Sequence, residues 1–190
     1  MPVARRLIAY ADHRCLAAGA PADVARALTA IPDAVRGGQV VVLDSVTAEP
    51  VELDLRGTPD QAANRADAAE AARTAAPAPR PGRPRLGVTA REVTLLPGHW
   101  DWLGAQPGGA SVTLRKLVDA ARRRTHADDT TRRCQDRAYR FLSAVAGDLP
   151  GFEEATRALY AWDLARLREQ TAGWPPDVRS HLQAMVPPEG

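Results

Sequence analysis

The chain has 190 residues, which is enough for one or two small domains. Hydrophobic residues make up 45% of it and charged residues 25%, which argues against wholesale disorder. No stretch comes near the roughly 20 apolar residues of a membrane span. The first residues have no apolar signal core, and the two cysteines lie far apart. We therefore expect a cytoplasmic protein without membrane contact or a disulfide framework.

Alanine supplies much of the hydrophobic share, whereas aromatic residues make up only 5% of the chain. Alanine buries little area, so each buried position contributes little to the core. We therefore expect several small apolar clusters, or a dimer, rather than one large core.

The first 57 residues predict a small β-β-α-β-β unit. QVVVLD is a continuous β-branched run, VELDL alternates between apolar and acidic residues, and Val24, Leu28 and Ile31 follow helical spacing. The expected elements are edge strands at Arg6–Tyr10 and Arg14–Ala17, a helix at Ala22–Ile31, and strands at Gln39–Asp44 and Val51–Leu55.

Residues 58–85 predict an alanine-rich helix followed by a linker. Thr58 is expected to cap the helix, with Pro59 at its first position. Four prolines between Ala75 and Arg85 prevent a helix or a central strand there.

Residues 127–190 predict a helical bundle. The first helix, Asp129–Ala146, has Ala138, Phe141, Leu142 and Val145 on one side, and the last begins at Pro175-Pro176. Asp148 is expected to cap a helix that begins near Pro150.

The net charge of +2 hides an uneven distribution. Residues 76–140 contain 13 basic and 6 acidic side chains, for a charge of +7, whereas the flanking stretches are −2 and −3. A local positive field attracts polyanions, so the middle of the chain is the candidate nucleic-acid contact.

The same basic region predicts a strand followed by two helices. Arg91–Leu95 alternates as a strand does, and His99–Gln106 is expected to be a helix that presents Trp100 and Leu103. A Pro107-Gly108-Gly109 turn follows. The second helix, Val112–Arg124, is expected to have Ser111 as its N-cap and Leu114, Leu117, Val118 and Ala121 as its apolar stripe.

This order resembles the ribbon-helix-helix DNA-binding fold. The residues that resemble it are Val93–Leu95, Trp100–Leu103 and Gly109–Val118. The resemblance implies that two chains each contribute a strand to an antiparallel ribbon in the major groove, above a dimer core of helices. A lone strand and two short helices cannot cover their own edges and stripe, which also favours a symmetric dimer.

The resemblance assigns DNA contacts to individual positions. Thr94 and Glu92 would face base edges, although family members usually have basic or amide side chains where this chain has Glu92. Phosphate contacts would come from the helix start and nearby basic residues, namely Gly109, Ser111, Thr113, Arg91, Arg115 and Lys116.

The stretch Arg80-Pro-Gly-Arg-Pro-Arg85 resembles an AT-hook core, in which Arg83 and Arg85 would lie in a narrow minor groove. Pro81 stands where the hook normally has arginine. The alternative is a proline-rich linker whose charges only keep it solvated.

The whole chain resembles an uncharacterised bacterial family, domain of unknown function 2239. The resemblance rests on Gly82–Val118, Ala138–Leu159 and Val51–Thr58, and implies no activity. The expected fold class is α+β, with a domain at 1–57, a helix and linker at 58–85, a ribbon-helix-helix-like segment at 86–126 and a helical bundle at 127–190.

The functional hypothesis is a homodimer that binds double-stranded DNA as a transcriptional regulator, with any small-molecule effector unknown. The alternative is a dimer that binds only proteins, through the acidic C-terminal bundle. The four histidines have no zinc-ligand spacing and no catalytic motif is present, so we expect no metal, no cofactor and no enzyme.

Overall fold

The computed structural model describes residues 5–32, 38–75 and 91–187, a mixed α+β chain. The strands in these ranges are β1 (Leu7–Ala11), β2 (Arg14–Gly19) and β3 (Val41–Asp44). The helices there are α1 (Pro21–Ala30), α2 (Pro59–Thr74), α3 (Pro97–Gly104), α4 (Gly109–Val145), α5 (Phe152–Tyr160), α6 (Leu164–Gln170) and α7 (Pro176–Met185). Within the same ranges, none of the helices combines the length and apolar character of a membrane span.

The chain divides into two compact units. The larger, called the sheet unit, contains residues 1–75 and 131–190, and the smaller, called the central unit, contains residues 76–130. Helix α4 is continuous through the boundary between Thr130 and Thr131.

The sheet is antiparallel and has the order β2-β1-β3, so β1 is its central strand. All five residues of β1 are buried. The expectation that this segment is an edge strand was therefore wrong. Its unbroken apolar run LIAYA is what a strand covered on both faces requires.

The segment Val51–Leu55, expected to be a fourth strand, meets the sheet only at an isolated bridge between Pro50 and Leu43. The Val51 N–H donates to the Val42 carbonyl at 2.8 Å, and the pairing stops there. Leu53 and Leu55 are half-buried and pack both against the cluster formed by the sheet and α1 and beside alanines of α1 and α2. The observed order is therefore β-β-α-β, because this segment packs its apolar residues on the sheet and helices without continuing the sheet's hydrogen bonding.

Helices cover both faces of the sheet. Leu7 and Ala9 of β1 pack with Val24 and Leu28 of α1, while Ile8 and Tyr10 point to the opposite face. That second face packs against the buried side of α4 and against α5–α7, through Ala138, Phe141, Leu142, Val145, Ala155, Ala158, Leu159, Leu167, Val178, Leu182 and Met185. The N-terminal strands and the C-terminal helices, which the sequence predicts as separate domains, thus share one core.

Polar contacts tie α7 to the strands in the same unit. The Tyr10 hydroxyl donates to the Asp177 carbonyl at 3.1 Å, and the Cys15 N–H donates to the Asp177 carboxylate at 2.8 Å. Trp174, which precedes α7, donates its indole N–H to the Pro150 carbonyl at 2.8 Å. These bonds satisfy polar groups that the shared core removes from water.

Thr58 caps the start of α2, as the sequence predicts, and the structure adds a reciprocal bond from Gln61. The Thr58 side chain accepts from the Gln61 N–H at 3.3 Å, and the Gln61 side chain accepts from the Thr58 N–H at 3.0 Å. Pro59 occupies the first helical position. A reciprocal cap of this kind satisfies two otherwise unpaired backbone donors.

Helix α4 replaces two predicted helices, Val112–Arg124 and Asp129–Ala146, with one of 37 residues. No glycine or proline lies between them to stop the helix. The Thr125 hydroxyl donates to the Asp129 carboxylate at 2.7 Å, one turn further on. The stretch expected to be a connection is therefore helical.

Candidate nucleic-acid interface

Residues 91–96, called the ribbon segment, belong to the central unit and have no regular secondary structure, so the strand expected at Arg91–Leu95 is not formed within this chain. Arg91, Glu92 and Thr94, three of the predicted DNA contacts, are all exposed. The apolar Val93 is also 52% exposed. The ribbon segment takes no part in the sheet of this chain, whose order contains only β1, β2 and β3 among the described residues.

Helix α3 follows directly, and it begins and ends two residues before the predicted bounds. Pro97 occupies its first position, which suits a residue that has no N–H to donate. Leu103 is buried at 3% exposure, whereas Trp100 is 42% and Trp102 52% exposed. The expectation that Trp100 shares a buried face with Leu103 does not hold within one chain.

The predicted glycine turn is present and sets the start of α4. Gly108 and Gly109 have φ values of +89° and +70°, a region that other residues rarely adopt. The Gly109 N–H donates to the Gln106 carbonyl at 2.9 Å, and α4 begins at Gly109. Ser111 is therefore inside the first turn, so its predicted role as N-cap was wrong.

The predicted phosphate contacts on α4 lie within its first two turns. Ser111, Arg115 and Lys116 are exposed, and Gly109 and Thr113 are half-buried. The Arg115 side chain donates to the Ser111 carbonyl at 3.2 Å. Backbone N–H groups in the first turn of a helix have no acceptor within that helix, so those after Gly109 can receive an anion.

The apolar stripe of α4 consists of Leu114, Leu117, Val118 and Ala121. Leu114 and Ala121 are half-buried, whereas Leu117 is 48% and Val118 54% exposed. Together with Val93, Leu96, Trp100 and Trp102, this gives residues 91–130 of the central unit six exposed large apolar side chains. Soluble monomers rarely leave large contiguous apolar surface uncovered, so exposure on this scale favours a partner.

The predicted minor-groove arm, Arg83 and Arg85, lies outside the described residues. Its resemblance to an AT-hook therefore stays a prediction.

The sheet unit has titratable groups that spacing in the sequence did not bring together. His13 Nε2 and Asp148 Oδ1 lie 2.8 Å apart and share a hydrogen bond, so Asp148 bonds to the β1–β2 turn and does not cap α5. Helix α5 begins after Gly151 instead. Burial raises the pKa of the Cys15 thiol, which makes it a weak nucleophile. Across residues 5–32, 38–75 and 91–187, no three His, Cys, Asp or Glu side chains form a metal-binding group.

The model of a bacterial protein family, described as an uncharacterised protein conserved in bacteria (DUF2239), matches residues 6–186. The chain belongs to this family, as its sequence resemblance predicts. No curated protein matches the chain, and no solved structure matches it.

Proposed function

We propose that this member of the DUF2239 family is a homodimeric, cytoplasmic DNA-binding protein that regulates transcription. Two ribbon segments, one from each chain, pair as an antiparallel ribbon in the major groove. The minor-groove arm of Arg83 and Arg85, which precedes each ribbon segment, contacts the neighbouring minor groove. The observation that supports this most is the ribbon segment itself, which is exposed at every position except Leu95 and lies outside the sheet of its own chain.

A second copy can complete the ribbon, because a segment outside the sheet can pair its backbone N–H and C=O groups with another strand. Exposed apolar side chains also lie on α3 and α4, the helices that follow the ribbon segment in the chain. In a two-fold symmetric dimer, the ribbon segment of each copy pairs with that of the other, and the helices of each copy cover those of the other.

The side chains that such a ribbon presents can contact both bases and phosphates of DNA. Thr94 is exposed and offers a hydroxyl to base edges and a methyl group to thymine. Glu92, on the same face, accepts from cytosine but repels phosphate. Arg91, Arg115 and Lys116, with the first turn of α4, contact phosphates and set the register on the duplex.

Binding to random duplex DNA at different salt concentrations tests this function. Fluorescence anisotropy with a labelled duplex at 50 to 200 mM salt gives the slope of log affinity against log salt, about −0.9 for each neutralised phosphate. A dimer that makes about 6–10 phosphate contacts loses roughly 10³–10⁵ in affinity over that range. No binding at 50 mM salt overturns the proposal.

The second candidate is a dimer that binds other proteins and not DNA. It is favoured by an exposed aromatic pair in the sheet unit, Tyr139 and Tyr160, whose ring centroids are 5.6 Å apart. Aromatic side chains are enriched at protein interfaces. A chain that is dimeric in solution and does not bind DNA at 50 mM salt supports this candidate.

A further inference from the structure

Helix α4 has exposed basic side chains that continue past the phosphate contacts of the proposed function. Between Ser111 and His126 it contains five basic residues and one acidic residue, Asp119. Arg115, Arg122 and His126 follow one another at intervals of seven and four residues, which places them in one row along the helix. Arg123 lies beside this row. We call Arg115, Arg122, Arg123 and His126 the basic face of α4.

The basic face is available to a ligand. All four of its side chains are exposed, and Asp119, Arg122, Arg123 and His126 border one surface depression. Neither Arg122 nor Arg123 makes an ion pair with a described residue. No described carboxylate therefore pairs with either charge, although Asp119 borders the same depression and lowers its net positive charge.

The basic face and the apolar stripe lie on different sides of the helix. At 3.6 residues per turn their centres are about 130° apart. A second copy that covers Leu117 and Val118 therefore leaves Arg122 and Arg123 exposed. From Arg115 to His126 the face extends about 16 Å along the helix axis, beyond the first two turns that the ribbon-helix-helix resemblance assigns to phosphate.

We propose that the basic face of α4 binds backbone phosphates of the same duplex, so that the DNA contact continues along the helix past Lys116. This inference rests on the proposed function, since it names further contacts of the same dimer. It assigns phosphate contacts to Arg122 and Arg123, which the resemblance does not select. Asp119 lies within the face and weakens the contact by repulsion.

The test is the salt slope of the full-length double variant Arg122→Gln/Arg123→Gln on random duplex DNA. The variant removes four positive charges per dimer, so the slope becomes shallower by about 3 to 4. The charge-conserving variant Arg122→Lys/Arg123→Lys keeps the wild-type slope. Asp119→Asn binds more tightly at the same salt concentration.

Arg124→Gln is the matched control, because Arg124 is exposed on the same turn but about 160° from the centre of the basic face. It keeps the wild-type slope, and sedimentation confirms that each variant has the wild-type mass. A wild-type protein that binds no DNA overturns the proposed function and this inference together. If the wild type binds DNA but Arg122→Gln/Arg123→Gln keeps its slope, or Arg124→Gln reduces it as much for each charge removed, only this inference is overturned.

Discussion

His181 is a half-buried histidine that packs beside aromatic rings. Its ring centroid lies 4.6 Å from that of Phe141 and 6.3 Å from that of Tyr10. The Nε2 atom is buried and has no hydrogen-bond partner in the described structure. Burial lowers the pKa of His181 below its ordinary value. The residue is therefore suited to the core only while it is neutral.

Stability is expected to fall as the pH falls from 7 to 5. Because the folded pKa is lowered, the unfolded chain binds the proton first below about pH 6.5, which favours unfolding. Urea midpoints at pH 7 and pH 5 measure the difference for the wild type and for His181→Leu. The variant is expected to lose less stability over this interval than the wild type.

The exposed residue Gln183 on the same helix provides the control, since Gln183→Leu removes no titratable group and should keep the wild-type pH dependence. The carboxyl groups of Asp44 and Asp148 titrate below this interval, because each pKa is lowered from an ordinary value of 3.8. Equal loss of stability in the wild type and His181→Leu would show that this histidine does not cause the dependence.

At the scale of elements, the local sequence predicted the start of α2 correctly but not the start of α4. Thr58 and Gln61 form a cap that is complete within four residues, so the sequence alone predicts it. Ser111 has the residue type of a cap, yet the backbone of Gly108 and Gly109 starts α4 two residues earlier. Residue type could not predict this, because the start depends on the dihedral angles of the turn.

A single substitution in the ribbon segment tests its proposed role in base recognition. A preferred sequence is first selected from a randomised duplex library with the wild-type protein. Thr94→Ala should then lose about 1–3 kcal/mol of discrimination between that sequence and random DNA, because one base contact is removed. Competition binding measures the ratio of the two affinities.

The salt slope distinguishes base contacts from phosphate contacts in the same experiment. Thr94→Ala should keep the wild-type slope, since no charge changes, and Glu92→Gln should bind random DNA more tightly because a repulsive carboxylate is lost. If Thr94→Ala keeps the full sequence preference, the bases are recognised by residues elsewhere in the chain.

At the scale of the whole molecule, the two units differ in how they bury apolar side chains. The sheet unit covers a central strand with helices on both faces. Its described residues form one large buried cluster and two small ones, so the expectation of small clusters only was wrong for this unit. In the described part of the central unit the large apolar side chains are mostly exposed. A second copy of the chain is therefore expected to contact the central unit.

The dimer is tested by placing a charge on the apolar stripe of α4. The wild type should sediment as two chains of 20.4 kDa each, and Leu117→Asp/Val118→Asp as one, because a buried unpaired carboxylate at an interface is costly. The same variant should lose DNA binding, since a single strand cannot form the ribbon.

Val46→Asp is the matched control, because Val46 is 59% exposed on the sheet unit, outside the predicted interface. It should leave the mass and the DNA affinity unchanged. A wild-type protein that sediments as one chain at micromolar concentration, or a dimer that Leu117→Asp/Val118→Asp does not dissociate, contradicts the arrangement.

The sequence by itself determined the features that depend on neighbouring residues. These are the apolar run of β1, the helical spacing of α1, the capping box at Thr58, the glycine turn before α4 and the basic charge of the middle of the chain. Each depends on contacts within about one turn or one strand, so the local pattern contains the physical cause.

Only the tertiary structure decided which partners those elements meet. It placed β1 at the centre of the sheet, turned Leu53 and Leu55 toward helices and paired His13 with Asp148. It also packed Phe141 of α4 against the strands. Apolar spacing shows that a face is buried but not what covers it, because contacts between residues more than a hundred positions apart depend on the whole chain.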